Sequence, residues 1–550
     1  MRMLCTIVVL FPFVPTLFAA EIAGGGMVVT VSPAATTVGV EVLKNKGNAV
    51  DASVAVGFAL AVTWPEAGNI GGGGFLLINR PDGKPAFIDY REVAPAAATP
   101  NMFAKEIQFQ SAKTAGVPGT VRGFALAHQQ FGTRPWKELL LPAVKLAEEG
   151  FPITVALAGR LNGVLAEATT TNAEFLRIFA KTGGWKAGDV LKQPDLGKTL
   201  RLIAEQGPDT FYTGVIAEQI VAEMKAGDGL VSLADLKAYR AESRTPLRGT
   251  YRGFEVLTAP PPSSGGTAIV TALNILEPYD LKAKPWMSAG TTHLVAEAMR
   301  RAFADRALHL GDPAFAKVPE TLLTKDHAKE LAKSIDLTHA TKSELVAPEI
   351  ELAPGGQNTT HYSIVDGRGM AVSNTYTLEN SFGCRVVVRG AGFLLNNELT
   401  DFNHKPGITT RAGLIGTDAN LVAPGKRPLS SMTPTILLKD GKLALVTGSP
   451  GGRTIINTVL CVVLNYVDYG GDVEAAVNAP RMHHQWFPDR ISLEEFPGRA
   501  KLADQLKALG HTVTSNKQGD AHSIAVDPKS GKFIGAADTR LDGQAKGVEK

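Results

Sequence analysis

Gly355-Gly356-Gln357-Asn358-Thr359-Thr360-His361-Tyr362-Ser363-Ile364-Val365-Asp366 sets a glycine-rich loop directly against a run rich in Thr, Tyr, Ile and Val. Such a run predicts a strand, and this strand begins on threonine. A chain cut immediately before Thr359 would give that residue a free α-amine. An α-amine titrates near ~8, so a useful fraction is neutral at neutral pH. It can then take the proton from its own hydroxyl, directly or through water, so that one residue supplies both nucleophile and base. The tripeptide Asn358-Thr359-Thr360 is equally a glycosylation sequon on a surface loop, and the stretch alone leaves both readings open.

Working outward, the turn-rich segment 352–358 separates two kinds of chain. Downstream, strands are predicted at 361–366, 370–378, 392–395 and 435–439, the last paired with 443–447 across Asp440-Gly441. A long apolar helix is predicted over 453–467, and strands at 523–527 and 533–536 flank Ser530-Gly531. Upstream, a helix over 36–46 stops at Gly47. Asn48 then caps a second helix running to Thr63, apolar nearly all round and so expected to be buried. Strands at 75–79 and 86–90 flank Pro81-Asp82-Gly83, a hairpin pattern. From 119 to about 335 the chain reads mostly as amphipathic helix, most clearly at 135–149 and 291–308. Helices around two runs of strands indicate an α+β or layered α/β architecture.

Composition narrows the function. The chain has 550 residues, with 56 Lys+Arg against 53 Asp+Glu, a net charge of +3. A balance this even argues against a dedicated nucleic-acid binder. Three cysteines exclude a disulfide scaffold. Residues 1–20 carry Arg2, an apolar run broken by Pro12 and Pro15, and the small pair Ala19-Ala20. They read as a secretory signal peptide, too short and proline-broken for a stable membrane span, and predict a periplasmic or secreted protein. Removing them leaves Cys384 and Cys461, the latter read as a buried thiol in its apolar helix. The G-x-S-x-G, H-E-x-x-H and Walker A patterns are absent. Gly71-Gly72-Gly73-Gly74 leads into a strand, not a helix, and reads as close backbone packing, not as a phosphate cradle. Adjacent residues of a strand face opposite ways, so His483-His484 cannot easily share one ion. No metal or other cofactor is expected.

Eight motifs then point one way: Gly47-Asn48-Ala49-Val50-Asp51-Ala52; Gly71 to Phe75; Asp89-Tyr90-Arg91-Glu92-Val93-Ala94-Pro95; Gly116-Val117-Pro118-Gly119; Thr359-Thr360-His361-Tyr362-Ser363; Leu394-Leu395-Asn396-Asn397-Glu398; Arg427-Pro428-Leu429-Ser430-Ser431-Met432; and Gly448-Ser449-Pro450-Gly451-Gly452. In this order the sequence resembles the γ-glutamyltranspeptidase family of N-terminal nucleophile hydrolases over nearly all of the mature chain. The resemblance implies a four-layer αββα sandwich. It further implies a precursor that cuts itself into a large subunit, 21–358, and a small subunit, 359–550, which stay together. Thr359 is then the nucleophile, Thr377 its hydrogen-bonding partner, and Gly451 and Gly452 the backbone donors of an oxyanion hole. Arg91, Ser430 and Ser431 match the carboxylate-binding positions, and Glu398 and Asp401 match the α-ammonium acceptors. Glu379 stands where some members have Asn and joins those acids, and three acids so close should raise at least one carboxyl pKa. Donors at one end and acids at the other suit a zwitterion. Within the lid-like loop 405–423, Ala412 stands where some members carry an aromatic gate, and Cys384 stands where others often have a small polar residue.

The implied activity is that of a secreted γ-glutamyl hydrolase and transpeptidase. Its donor would be glutathione, its acceptors water, amino acids or dipeptides. Alternatives are a relative acting on another acyl donor, poly-γ-glutamate or glutaryl-cephalosporins, and an uncut, non-catalytic binding protein. Glutaryl groups lack the α-ammonium, which leaves Glu398 and Asp401 without a purpose. An intact Thr359, Thr377 and Gly451-Gly452 set argues against a mere binder.

Overall fold

Alternation along one strand divides the core. In Gly73–Asn79, Phe75 and Leu77 point into one apolar cluster while Leu76 and Ile78 point into another. The neighbouring Gly26–Thr30 does the same, with Met27 and Val29 on one side and Val28 on the other. A strand buried on both faces belongs to a sheet covered on both sides. In the computed structural model, which describes residues 20–105, 107–167, 170–347, 359–411 and 415–549, that sheet has seven antiparallel strands. Their order is Gln544–Val548, Gly26–Thr30, Thr360–Asp366, Ala371–Thr377, Gly73–Asn79, Pro85–Asp89 and Glu242–Arg244.

A second seven-stranded sheet lies against it: Glu21–Ala23, Phe533–Ala537, His522–Val526, Lys442–Thr447, Thr435–Lys439, Phe254–Thr258 and Leu247–Tyr251. Val256, Ile436, Leu437 and Leu445 of this sheet join Phe75 and Leu77 in the cluster between the sheets and beneath the helices Gly265–Leu276, Ala289–His309 and Thr454–Asp468. The opposite face of the first sheet is covered by Pro33–Lys44, Ala49–Thr63 and the helices that follow. The layers are therefore helix, sheet, sheet, helix. Asn48 and Asp51 cap Ala49–Thr63 reciprocally at 2.9 Å, and every residue of that helix is buried.

Both sheets mix strands from before and after position 359. The segment 348–358 and Ala412 lie outside the described residues, as do 1–19. Among the described residues no helix is long and apolar enough to cross a membrane.

The structure departs from the sequence reading in four places. The region expected to be mostly helical contains the hairpin Leu247–Tyr251 and Phe254–Thr258, and both sheets recruit terminal strands that local pattern did not announce. Residues 392–395 form no strand: Leu394 makes one isolated bridge to Val387, because Gly390 and Gly392, with φ of 78° and 75°, bend the chain back. The helix Ala289–His309 is buried almost all round, with Arg300, Arg301 and Arg306 inside. Gly71 to Gly74 do pack closely, since a Cβ at Gly71 would stand 2.1 Å from the carbonyl oxygen of Leu394. Cys384 and Cys461 are buried free thiols, and burial pushes Cys384 up to about 12.

Candidate active site

The pairing Thr360↔Tyr376 places Thr359 opposite Thr377 at the end of two central strands. The two hydroxyls lie 3.3 Å apart, and Thr359 is buried. The Thr377 hydroxyl also accepts the backbone N–H of Glu379 at 2.8 Å, which fixes its orientation. Asn69 holds this corner: its side-chain amide donates to the Thr377 carbonyl at 2.8 Å and accepts from Gly72 N at 3.0 Å and from the Thr120 hydroxyl at 2.6 Å. Gly72 is required here, since a Cβ would fall 2.1 Å from that carbonyl. His361 is no base for Thr359. It contacts the hydroxyls of Thr375 and Ser363, and burial holds its pKa well below the ordinary value.

Thr359 and Gly451 line one cavity of about 370 Å³, with Glu66, Arg160, Lys517 and Asp520 on its walls. Gly451 and Gly452 adopt φ of 127° and 58°, conformations that suit glycine. The helix Thr454–Asp468 starts directly after them. Backbone N–H groups at a helix N-terminus lack intrahelical partners and favour negative charge. This is the electrostatics an oxyanion needs.

A cluster of buried charges lies nearby. One carboxylate oxygen from each of Glu379, Glu398 and Asp401 falls within 4.8 Å of the other two, a ready seat for a cation. Arg91, fully buried, donates to Glu398 with one terminal nitrogen and to Asp401 and the Leu429 carbonyl with the other, while its Nε donates to the Pro428 carbonyl. The expected separation into a donor end and an acid end is therefore not what the structure shows, because charges taken out of water pair with one another. Burial raises Glu379 and Glu398 well above the ordinary carboxyl range; Asp401 adds to the effect, and Arg91 opposes it. Glu379 sits at φ 77°, a left-handed position that Asn tolerates better than Glu.

Sequence reasoning missed several groups. Glu92 is fully buried, Arg91 is 3.8 Å away, and among the described residues neither of its carboxylate oxygens has a hydrogen-bond partner; burial pushes it up to about 8. Its place beside Arg91 in the quoted motif was the available signal. Arg306 donates to the Ser431 hydroxyl at 3.2 Å. Arg453, half-buried next to Gly452, interacts electrostatically with Asp401 and Glu379. Ser430 and Ser431 are buried; the Ser430 carbonyl accepts from Ser264 N and Oγ at 2.8 and 2.6 Å. The structure thus brings Arg91, Glu379, Glu398 and Asp401 together, with Ser430 and Ser431 following directly on the carbonyls that Arg91 grips.

Residues 35–548 match the family model described as Gamma-glutamyltranspeptidase. The chain belongs to the γ-glutamyltranspeptidase family. Among its relatives in this family, the glutathione hydrolase proenzyme of Escherichia coli K12 is 49% identical over 528 residues, covering 94% of this chain and 90% of that protein. A cephalosporin acylase from Bacillus halodurans superposes with a TM-score of 0.86 at 29% identity, covering all of both chains. A chain of the γ-glutamyltranspeptidase from Pseudomonas nitroreducens, complexed with L-DON, matches with a TM-score of 0.54 at 43% identity, covering 57% of this chain and 95% of that one.

Proposed function

We propose that the protein is a self-processing γ-glutamyl hydrolase and transpeptidase acting on glutathione and related γ-glutamyl amides. Cleavage before Thr359 yields a large subunit, 21–358, and a small subunit, 359–550. The new α-amine takes the hydroxyl proton as Thr359 attacks the γ-carbonyl. Thr377 orients that hydroxyl. The N–H groups of Gly451 and Gly452 hold the oxyanion. Collapse, with the α-ammonium of Thr359 returning its proton to the leaving nitrogen, expels the amine or peptide and leaves a γ-glutamyl ester on Thr359. Water then releases glutamate, or an amino acid or dipeptide takes the acyl group. Glu379, Glu398 and Asp401 hold the α-ammonium, while Arg91, Ser430 and Ser431 serve the carboxylate end. The signal-like residues 1–20 support action in the periplasm or outside the cell.

The observation that carries this reading is the 3.3 Å approach of the two threonine hydroxyls at the start of the strand Thr360–Asp366. The likeness to a cephalosporin acylase raises a glutaryl donor as a second reading. The cation seat formed by three acids favours a donor bearing an ammonium. The test is a denaturing gel with N-terminal sequencing, paired with hydrolysis of γ-glutamyl and glutaryl anilides. Two chains, the smaller beginning Thr-Thr-His-Tyr-Ser, and a preference for the γ-glutamyl anilide are expected. A single uncut chain that still turns over substrate would refute the mechanism.

A further inference from the structure

Thr359 and Gly451 share their cavity with five charged residues, Glu66, Arg160, Lys517, Asp520 and Arg540. None of the groups proposed to hold the γ-glutamyl half, Arg91, Glu379, Glu398, Asp401, Ser430 and Ser431, lines it. A donor bound with its γ-carbonyl at Thr359 therefore keeps its acyl half outside this cavity. The cavity receives the other half, the amine or peptide that leaves. An acceptor attacks the ester carbon from the place the leaving group vacated, so it enters the same space.

Four of the five charges have partners. Glu66 lies 3.3 Å from Arg160 and accepts from the Ser381 hydroxyl at 2.7 Å. Asp520 faces His522 at 3.0 Å. Arg540 donates to Glu494 and Asp538 at 2.7 and 2.9 Å. Lys517 is exposed and has no ion pair among the described residues. Its backbone is nonetheless fixed beside the oxyanion glycines. Asn516 N donates to the Leu493 carbonyl at 3.1 Å, Gln518 N to Glu494 at 2.9 Å, and Asp520 N to the Ser449 hydroxyl at 3.0 Å. Gly519, at φ 63°, packs so closely that a Cβ on it would stand 2.5 Å from that hydroxyl, and a Cβ on Gly451 would stand 3.4 Å from Gly519. The chain around Lys517 is thus clamped to segment 449–451, and its side chain is left to meet what enters.

We propose that Lys517 is the specificity-determining cation for the C-terminal carboxylate of the peptide that leaves Thr359 and of the dipeptide that accepts from it. This rests on the γ-glutamyl reading above and assigns the other side of the nucleophile. The leaving half of glutathione is a dipeptide with a carboxylate at its far end. Two residues span at most about 7 Å, within reach of a flexible point charge on the cavity wall. The cavity, about 370 Å³, has the size of a small-molecule site, about 300–1,000 Å³.

The test follows glutamate release from three donors by the processed two-chain enzyme. Glutathione carries the peptide carboxylate, glutathione amidated at its glycine does not, and γ-glutamyl anilide has no peptide. All three present the same γ-glutamyl half. Wild type should favour glutathione over its amide by about fivefold to tenfold in kcat/KM, between an exposed ion pair and a charge-assisted hydrogen bond. That preference should shrink in about 1 M salt. Lys517→Gln should lower kcat/KM for glutathione by the same factor and leave the amide and the anilide within about twofold, the usual range of a surface substitution. Lys517→Arg should keep the preference and Lys517→Glu should reverse it, because the two differ in the sign of the charge. If Lys517→Gln does not accumulate as two chains, the wild-type preference and its salt dependence decide alone. Equal handling of glutathione and its amide by the wild type, a preference insensitive to salt or surviving in Lys517→Gln, or equal losses on all three donors would overturn the assignment. A wild type that releases glutamate from none of the three would instead overturn the activity itself, a separate outcome.

Discussion

The hydroxyl of Thr359 stands 3.3 Å from that of Thr377, and Thr377 takes the N–H of Glu379 at 2.8 Å. One side chain thereby links the position just before the strand to the turn that presents Glu379, the acid proposed to meet the ammonium.

Replacing Thr359 by Ala should leave a single uncut, inactive chain, because a methyl group cannot attack the preceding carbonyl. Thr359→Ser should still cut, more slowly, since hydroxyl and α-amine are both retained. A gel followed over hours after purification, with activity assayed in parallel, checks both. Processing of the Ala variant at the same junction would point to an external protease.

Thr377→Val keeps the shape and removes the hydroxyl. Losing the bond to Thr359, about 1 kcal/mol net, should lower kcat roughly fivefold, and losing the bond from Glu379 N should raise KM as well. Steady-state kinetics with a γ-glutamyl anilide measure it. A change confined to KM would remove Thr377 from the chemistry.

Glu379→Gln keeps the shape and an acceptor but deletes one charge. Charge-assisted hydrogen bonds contribute about 1.5–3 kcal/mol, so kcat/KM for γ-glutamyl anilide should fall about tenfold. The fall for glutaryl anilide should be much smaller. An equal fall on both would mean that the residue acts through Thr377 instead. Because burial raises the carboxyl pKa of both Glu379 and Glu398, the charge that holds the ammonium is lost as pH falls through those raised values. The KM of the wild type should therefore rise on the acid side.

Glu92 sets a pH dependence of opposite value. Its folded carboxyl titrates at about 8 against an ordinary 4.5, so the folded state binds more protons than the unfolded chain between those values. Stability is then greatest below pH 4.5 with respect to this group and declines as pH rises to 8. Glu92→Gln should flatten that decline and raise stability at pH 8 by roughly 1–3 kcal/mol, the usual cost of an unsatisfied buried polar group. Urea denaturation at pH 5 and pH 8 measures the difference. A variant less stable at pH 8 would show that the charge of Glu92 is compensated.

Arg91→Met should destabilise the protein by about 3–5 kcal/mol at neutral pH, because it strands Glu398 and Asp401. Denaturation midpoints at pH 5 and 7 check it, with the smaller deficit expected at pH 5, where more of Glu398, whose carboxyl burial pushes up, is protonated.

Local pattern made the helix Ala49–Thr63 legible: Asn48 and Asp51 spell its cap and its apolar body spells its burial. It also placed Thr359 at the head of a strand. It misread Gly392–Leu395, where apolar residues looked like a strand and two glycines with positive φ bend the chain. The hairpin Leu247–Tyr251 and Phe254–Thr258 escaped notice because its strands are short and its second partner, Thr435–Lys439, lies far along the chain. Arg306 was lost inside an apparent amphipathic helix. A polar residue on such a helix ordinarily faces water, and what makes this one face inward is a serine 125 positions away. The contact of Arg91 with Glu398 spans 307 positions, so no local spacing could have revealed that the donor and acid groups touch.

Both sheets are woven from strands that precede and follow position 359. A break there severs no ladder, yet it removes the covalent record of which strand follows which. The intact precursor assembles as one molecule, at a rate independent of its concentration. Its two products, once unravelled, would have to find each other again, each offering unpaired sheet edges to any other chain in reach. Under the proposed cleavage, maturation would work as a ratchet that arms the catalyst and discards the route by which it was made. The half-life of the cut enzyme is then expected to follow its unfolding rate.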